Sequence, residues 1–150
     1  MTGIRADCSF TDLILAYPKE DELKDLLVKI ALLVIGGSLG TLCRYGVSLL
    51  AVRLFGTGFA WGTLIVNLSG CFVIGFAFAL AESSSIMGPL PRLFFITGFL
   101  GALTTFSSYA LESINFIAAD TSLLALANFL LNNILGFTLV AFGMWVCRHI

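Results

Sequence analysis

Of the 150 residues, 59% are hydrophobic and only 11% are charged, and the mean hydropathy is +1.02. A soluble domain usually carries about a quarter charged residues, so this composition excludes a fully water-facing surface and points to a membrane. A formal net charge of −1 offers no basic face for nucleic acid.

Residues 1–27 hold most of the polar character and read as an N-terminal extension to a transmembrane domain covering 28–150. The apolar run Leu13 to Tyr17 is too brief for a signal peptide and is followed by charge, so insertion is expected to use the first long span. Pro18 followed by Glu20, Asp21 and Glu22 resembles a helix start. This part reads either as a short amphipathic helix on the membrane surface or as a solvated tail leading into the first span.

The first span is expected over about 28–52. Its Gly36-x-x-x-Gly40 offers a flat face for close helix packing. Arg44 follows four residues later. A guanidinium at that depth costs about 2.5–3.5 kcal/mol on insertion scales unless it meets water, a partner or the interface. It is therefore a functional candidate, the alternative being an arginine that reaches to headgroups from a tilted helix.

The second span is expected over about 61–81, with Trp61 as an interfacial anchor. Thr63 and Asn67 are four residues apart and share a helix face. An amide there must be hydrogen-bonded, to a neighbouring helix or to a ligand. A loop rich in Ser, Gly and Pro then leads to the third span, about 93–118.

Within that span lies Gly98-Phe-Leu-Gly-Ala-Leu-Thr-Thr-Phe-Ser-Ser-Tyr109. Two glycines, four hydroxyl residues and an aromatic at each of Phe106 and Tyr109 do not suit a lipid-facing helix. They suit backbone that leaves the helical path at membrane depth, where freed groups must meet protein, water or an ion. The bland alternative is hydroxyls bonding back to carbonyls of an intact helix. Glu112 and Asn115 are placed further along, toward the far interface.

Asp120-Thr121-Ser122 reads as a tight connection able to cap the next helix. The fourth span is expected over about 122–147, with Asn128, Asn132 and Gly136 in an i, i+4, i+8 stripe that should face another helix or water. The cysteines Cys8, Cys43, Cys71 and Cys147 lack metal spacing and read as small packing residues. Both termini fall on one side, with Arg5, Lys19, Lys24, Lys29, Arg92 and Arg148 against Arg53 alone on the other. The positive-inside rule puts the termini in the cytoplasm.

Three motifs in register then narrow the reading. Gly36-Gly37-x-x-Gly40-x-x-x-Arg44-Tyr45, Gly62-Thr63-Leu64-x-Val66-Asn67-x-x-Gly70 and Gly98-Phe99-Leu100-Gly101-x-x-Thr104-Thr105-Phe106-Ser107-Ser108 together resemble the CrcB/Fluc family of fluoride channels. The resemblance covers all four spans and leaves out the extension. It implies an all-α membrane protein of four transmembrane helices, the third broken near the bilayer midplane, assembled as an antiparallel dimer in the plasma or inner membrane. It implies passive fluoride exit from the cytoplasm and a structural sodium ion at the dimer centre, held by the backbone carbonyls of Gly101 and Thr104. The matching pathway residues are Asn67, Phe106, Thr63, Ser107, Ser108 and Arg44.

Two departures from the family pattern involve three positions. Tyr109 stands where a second pore phenylalanine is usual, and Asn128 and Asn132 stand where a tyrosine and a serine are usual. Both changes keep the sites aromatic or polar, and Tyr109 adds a hydroxyl donor. The lysine and arginine bias favours one orientation, whereas a homodimer with antiparallel subunits needs both. The implied partner is thus a second copy or a paired homologous subunit.

The residues also bear on two rival functions. A small multidrug-type exporter needs an embedded acid in the first span, where this chain offers only Arg44. A non-transporting scaffold would use the glycines and asparagines as helix glue. No nucleophile–base set is legible, so an enzyme is not expected.

Overall fold

The computed structural model of the chain describes residues 20–83, the Ser83 side chain excepted, and residues 88–150. Four helical stretches among them are long and apolar enough to cross a bilayer: Glu20–Phe55, Trp61–Glu82, Pro89–Ala118 and Ser122–His149. The chain is an all-helical, multi-pass membrane protein. Its helices are α1 (Glu20–Phe55), α2 (Trp61–Ser83), α3 (residues 89–103), α4 (Phe106–Ala118) and α5 (residues 122–149).

Helix α1 begins at Glu20, about two turns ahead of the expected span, and it runs unbroken. Glu20, Asp21 and Glu22 fill its first turn, where acids meet the positive end of the dipole. Ion pairs Lys24–Glu20 (3.2 Å) and Lys29–Asp25 (2.5 Å) each span one turn. Residues 20–27 are therefore the opening turns of the first span's own helix. The rest of the expected extension, residues 1–19, lies outside the described residues. At the other end Gly56, at φ +76°, donates its N–H to the Val52 carbonyl (2.9 Å) and closes the helix.

Helix α1 packs along α3, α2 along the C-terminal half of α5, and α4 along the N-terminal part of α5. Gly36 and Gly40 allow the first of these contacts. A Cβ at Gly36 would lie 2.6 Å from the Phe94 carbonyl oxygen, and one at Gly40 would overlap the Phe99 carbonyl oxygen. Backbone meets backbone there, as small residues at a helix interface permit. Val66, Leu100 and Leu103 form a small core where α1, α2 and α3 meet. Elsewhere large apolar side chains such as Leu42, Leu111, Ile114 and Phe137 face outward, a surface that lipid solvates and water does not.

Two irregularities position the site. Helix α3 stops at Leu103, and Thr104 (φ −83°, ψ 152°) and Thr105 (φ −149°, ψ 116°) are extended before α4 begins at Phe106. Widened π-type turns also occupy Leu93–Leu100 and Leu131–Leu135, features that recur at functional sites. The 119–121 connection closes α4 and does not cap α5 through a side chain. Asp120 is left-handed (φ 57°), and Asp120 and Thr121 donate backbone N–H groups to Ile117 and Phe116, which is the Schellman pattern. The Thr121 hydroxyl also turns back, to the Phe116 carbonyl at 2.8 Å.

Candidate functional site

The interruption between α3 and α4 is held by one amide. In a continuous helix the Thr105 N–H would bond the Gly101 carbonyl, and the Ser108 N–H would bond that of Thr104. Thr105 instead donates its N–H to Asn67 Oδ1 at 2.8 Å, and Asn67 Nδ2 donates back to the Thr105 carbonyl at 3.2 Å. Ser108 donates its N–H to Thr105 Oγ1 at 3.3 Å, an N-cap bond that starts α4. The Gly101 and Thr104 carbonyls thus lose the donors that a helix would supply.

From Asn67 a line of hydrogen bonds runs into α5. Asn67 Nδ2 donates to Asn132 Oδ1 (2.9 Å), and Asn132 Nδ2 donates to Asn128 Oδ1 (2.9 Å) and to the Asn128 carbonyl (3.0 Å). Asn128 Nδ2 donates to Ser113 Oγ (2.9 Å) and to the Tyr109 carbonyl (3.4 Å) on α4. The expected stripe of Asn128, Asn132 and Gly136 does face a neighbour: Asn132 meets Asn67, and a Cβ on Gly136 would stand 3.4 Å from Cys71 Sγ.

Beside this line lies a cavity of about 290 Å³ whose lining includes Asn67, Thr104, Thr105, Phe106, Tyr109, Asn132 and Asn133, together with Gly101 and Cys71. The Phe106 and Tyr109 rings meet edge to face, with centroids 5.4 Å apart and planes at 67°. Tyr109 is buried, whereas Phe106 is 78% exposed on the single chain. Successive helical residues point about 100° apart, yet Asn132 and Asn133 both reach this cavity from the widened turn Leu131–Leu135. The first turn of α4 also opens here, bringing backbone N–H groups and the positive end of a dipole to the wall.

A second cavity, of about 310 Å³, opens one helical turn away along α2, with Thr63, Glu112, Asn115 and Trp61 in its lining. Thr63 Oγ1 donates to Glu112 Oε1 at 2.6 Å, and Glu112 Oε2 is buried without a partner among the described residues. Spacing did not single out Glu112. The available signal was an ionisable residue within an apolar span, costly there and functional by default.

Among the expected site residues, the first cavity gathers Asn67, Phe106, Tyr109, Asn132, Gly101 and Thr104, and Thr63 lines the second. Ser107 and Ser108 are joined through their hydroxyls to Thr105 Oγ1, each at 3.2 Å. Asn128 is fully buried behind the wall and lines neither cavity. Arg44 is half-buried on α1, apart from both.

The Thr63–Glu112 bond gives a first prediction. Thr63→Val keeps the shape but strips Glu112 of its donor, so thermal unfolding in detergent should shift down by a few degrees, the scale of about 1–3 kcal/mol for an orphaned buried group. Ser69→Ala is the control, because the Ser69 hydroxyl bonds carbonyls of its own helix, and its midpoint should stay at the wild-type value. Equal midpoints for Thr63→Val and wild type would show that the bond contributes nothing.

Four apolar helices wrapped around buried amides, hydroxyls and a helix interruption define a polytopic membrane protein with polar cavities in its interior. Residues 31–144 match the family model described as CrcB-like protein, Camphor Resistance (CrcB), and the chain belongs to that family. It is 46% identical over 117 residues to the fluoride-specific ion channel FluC of Salinibacter ruber, covering 78% of this chain and 87% of that protein. It is 47% identical over 108 residues to the FluC of Shewanella amazonensis, covering 72% and 86%. The FluC of Nitrosococcus oceani is 39% identical over 122 residues, covering 81% and 98%. These relatives are ion channels, not enzymes.

Proposed function

We propose that this chain is a fluoride channel that lets fluoride leave the cytoplasm passively, through a pathway built on the Asn67–Thr105 junction. One observation carries the reading: a single amide pairs with both backbone groups of an extended residue, opening a helix beside a cavity with polar and aromatic walls. Fluoride is small and strongly hydrated, so a pore must replace its water with closely placed donors and with no full positive charge to trap it. The start of α4 supplies backbone N–H groups and a positive dipole end. The edge of the Phe106 ring carries partial positive charge suited to an anion. Thr63, Ser107, Ser108 and Asn132 extend the polar surface along the route. Asn128 supports it from behind, and Arg44 serves as the vestibule-side cation.

The working unit is an antiparallel dimer. Phe106 is 78% exposed and Gly101 is also exposed on the single chain, so the cavity wall is bare where a second subunit would complete it. The carbonyls of Gly101 and Thr104, released from helical bonding, fit a hard cation such as sodium at that junction, since oxygen donors suit it. When bound, the ion makes the nearby potential more favourable to an anion. The six-to-one lysine and arginine bias supports a paired homologous subunit of opposite orientation as the second reading.

Reconstitution tests this. Proteoliposomes loaded with fluoride and carrying the purified chain should release it to a fluoride electrode, and matched chloride-loaded vesicles should release far less. Phe106→Ile should elute at the wild-type size and lose fluoride release by about a hundredfold or more, the scale of about 2.7 kcal/mol lost in the pathway. Unchanged release would remove the ring from the route. A chain that elutes as a dimer and conducts alone is a homodimer. A silent wild-type chain that conducts only with a homologous subunit is one half of a pair.

A further inference from the structure

The donors of the first cavity are almost all in use. Asn67 Nδ2 serves the Thr105 carbonyl and Asn132 Oδ1, and Asn132 Nδ2 serves the carbonyl and the Oδ1 of Asn128. Asn133 Nδ2 serves the Phe129 carbonyl (2.7 Å) and Tyr109 Oη (3.0 Å). The Thr104 hydroxyl donates to the Leu100 carbonyl, and that of Thr105 to Ser108 Oγ. Of the side-chain O–H and N–H groups on this wall, that leaves one without an acceptor among the described residues: the phenolic O–H of Tyr109.

Its setting is not accidental packing. Tyr109 is buried, its ring is held edge to face by Phe106, and its oxygen accepts a hydrogen bond from Asn133. A hydroxyl has one hydrogen and rotates to suit its partners. With Asn133 donating to the oxygen, the hydrogen turns away from Asn133. The accepted bond also polarises the O–H, since hydrogen bonds in a chain strengthen one another. A buried donor with no acceptor is costly, and an anion in the cavity would relieve that cost.

We propose that Tyr109 donates its phenolic hydrogen to the permeating anion and adds to the preference for fluoride over larger halides, with Asn133 as the residue that positions it. The inference rests on the fluoride-channel reading. A hydroxyl gives a short, directional bond, which rewards a compact and strongly basic halide more than a diffuse one. Asn133 Nδ2 is committed to Tyr109 Oη and the Phe129 carbonyl, so Asn133 acts through Tyr109.

The test uses the full chain in proteoliposomes, with initial release rates measured across fluoride and chloride concentrations for wild type, Tyr109→Phe, Asn133→Ala and the double variant. Tyr109→Phe keeps the ring contact with Phe106 and should still conduct. Its half-saturating fluoride concentration should rise about tenfold, with a comparable fall in the fluoride-to-chloride ratio, the scale of one bond to a charged partner. Asn133→Ala should shift both quantities part of the way, and the double variant should match Tyr109→Phe. Wild-type saturation and selectivity in Tyr109→Phe would overturn the proposal, as would an Asn133→Ala effect that persists undiminished in the Tyr109→Phe background. A wild-type chain that moves no fluoride under any pairing would overturn the channel reading itself, and this inference with it.

Discussion

Asn67→Ala is expected to abolish fluoride release while the protein still assembles. The side chain makes three hydrogen bonds, two to the backbone of Thr105 and one to Asn132. Without it the Thr105 N–H and carbonyl and the Asn132 Oδ1 are left unpaired, at about 1–3 kcal/mol for each group that stays dry. Water can enter a polar cavity of this size and satisfy some of them, which is why folding survives. Function does not, because the Thr105 N–H regains its helical option, the Gly101 carbonyl, and the wall beside Phe106 moves. Release should fall about a hundredfold or more, the scale of about 2.7 kcal/mol. Asn67→Asp should be equally silent, since the carboxylate accepts from Thr105 but donates nothing and adds negative charge beside an anion route. Size-exclusion elution together with the electrode trace decides the matter: a wild-type trace from Asn67→Ala would mean the interruption is held by something else.

The largest expected effect on stability comes from Gly40→Val. A Cβ there would overlap the Phe99 carbonyl oxygen and stand 3.1 Å from the Leu103 amide nitrogen. Overpacking a core commonly costs about 1–3 kcal/mol because side chains move aside. Here the obstacle is backbone, so α1 and α3 must separate along their length and the cost exceeds that range. Purification should yield little monodisperse protein, with a sharply lowered unfolding midpoint in whatever is recovered. Gly46→Ala on the same helix is the comparison. Nothing lies within 4 Å of a Cβ at Gly46, and removing a glycine from a helix interior gains about 0.5–1 kcal/mol. If Gly40→Val unfolds at the wild-type temperature, the α1–α3 contact is not the tight one described.

Much of the architecture was readable from composition and spacing. Runs of apolar residues located the spans, because lipid imposes a length that sequence must match. The Gly36-x-x-x-Gly40 face and the Asn128–Asn132–Gly136 stripe each found the neighbour that their periodicity called for. The residues Gly98 to Tyr109 marked where the chain leaves the helix, and the extended positions within them are Thr104 and Thr105.

What stayed hidden has physical causes. Spacing puts a residue on a face but does not say how deep that face lies. Asn128 and Asn132 share one, yet Asn132 lines the cavity and Asn128 stands behind it. Asn133 was invisible as a cavity residue because a 3.6-residue period turns it away from Asn132, and a local widening of the helix cannot be seen in a repeat. Glu112 reaches Thr63 across 49 residues of sequence, a pairing that depends on how α2 and α4 dock. Residues 20–27 read either as a surface helix or as a tail, because their polarity sets no period; ion pairs one turn apart place them in the opening turns of α1.

The length of α1 has a mechanical consequence. Its 36 residues measure about 54 Å at roughly 1.5 Å per residue, and a bilayer with its headgroups is about 40–45 Å thick. An upright α1 leaves about two turns beyond the lipid, and the charged pairs at its start assign that excess to the N-terminal end. The helix works as a mast that lifts its own first turn, Glu20 to Glu22, into the water beyond the headgroups.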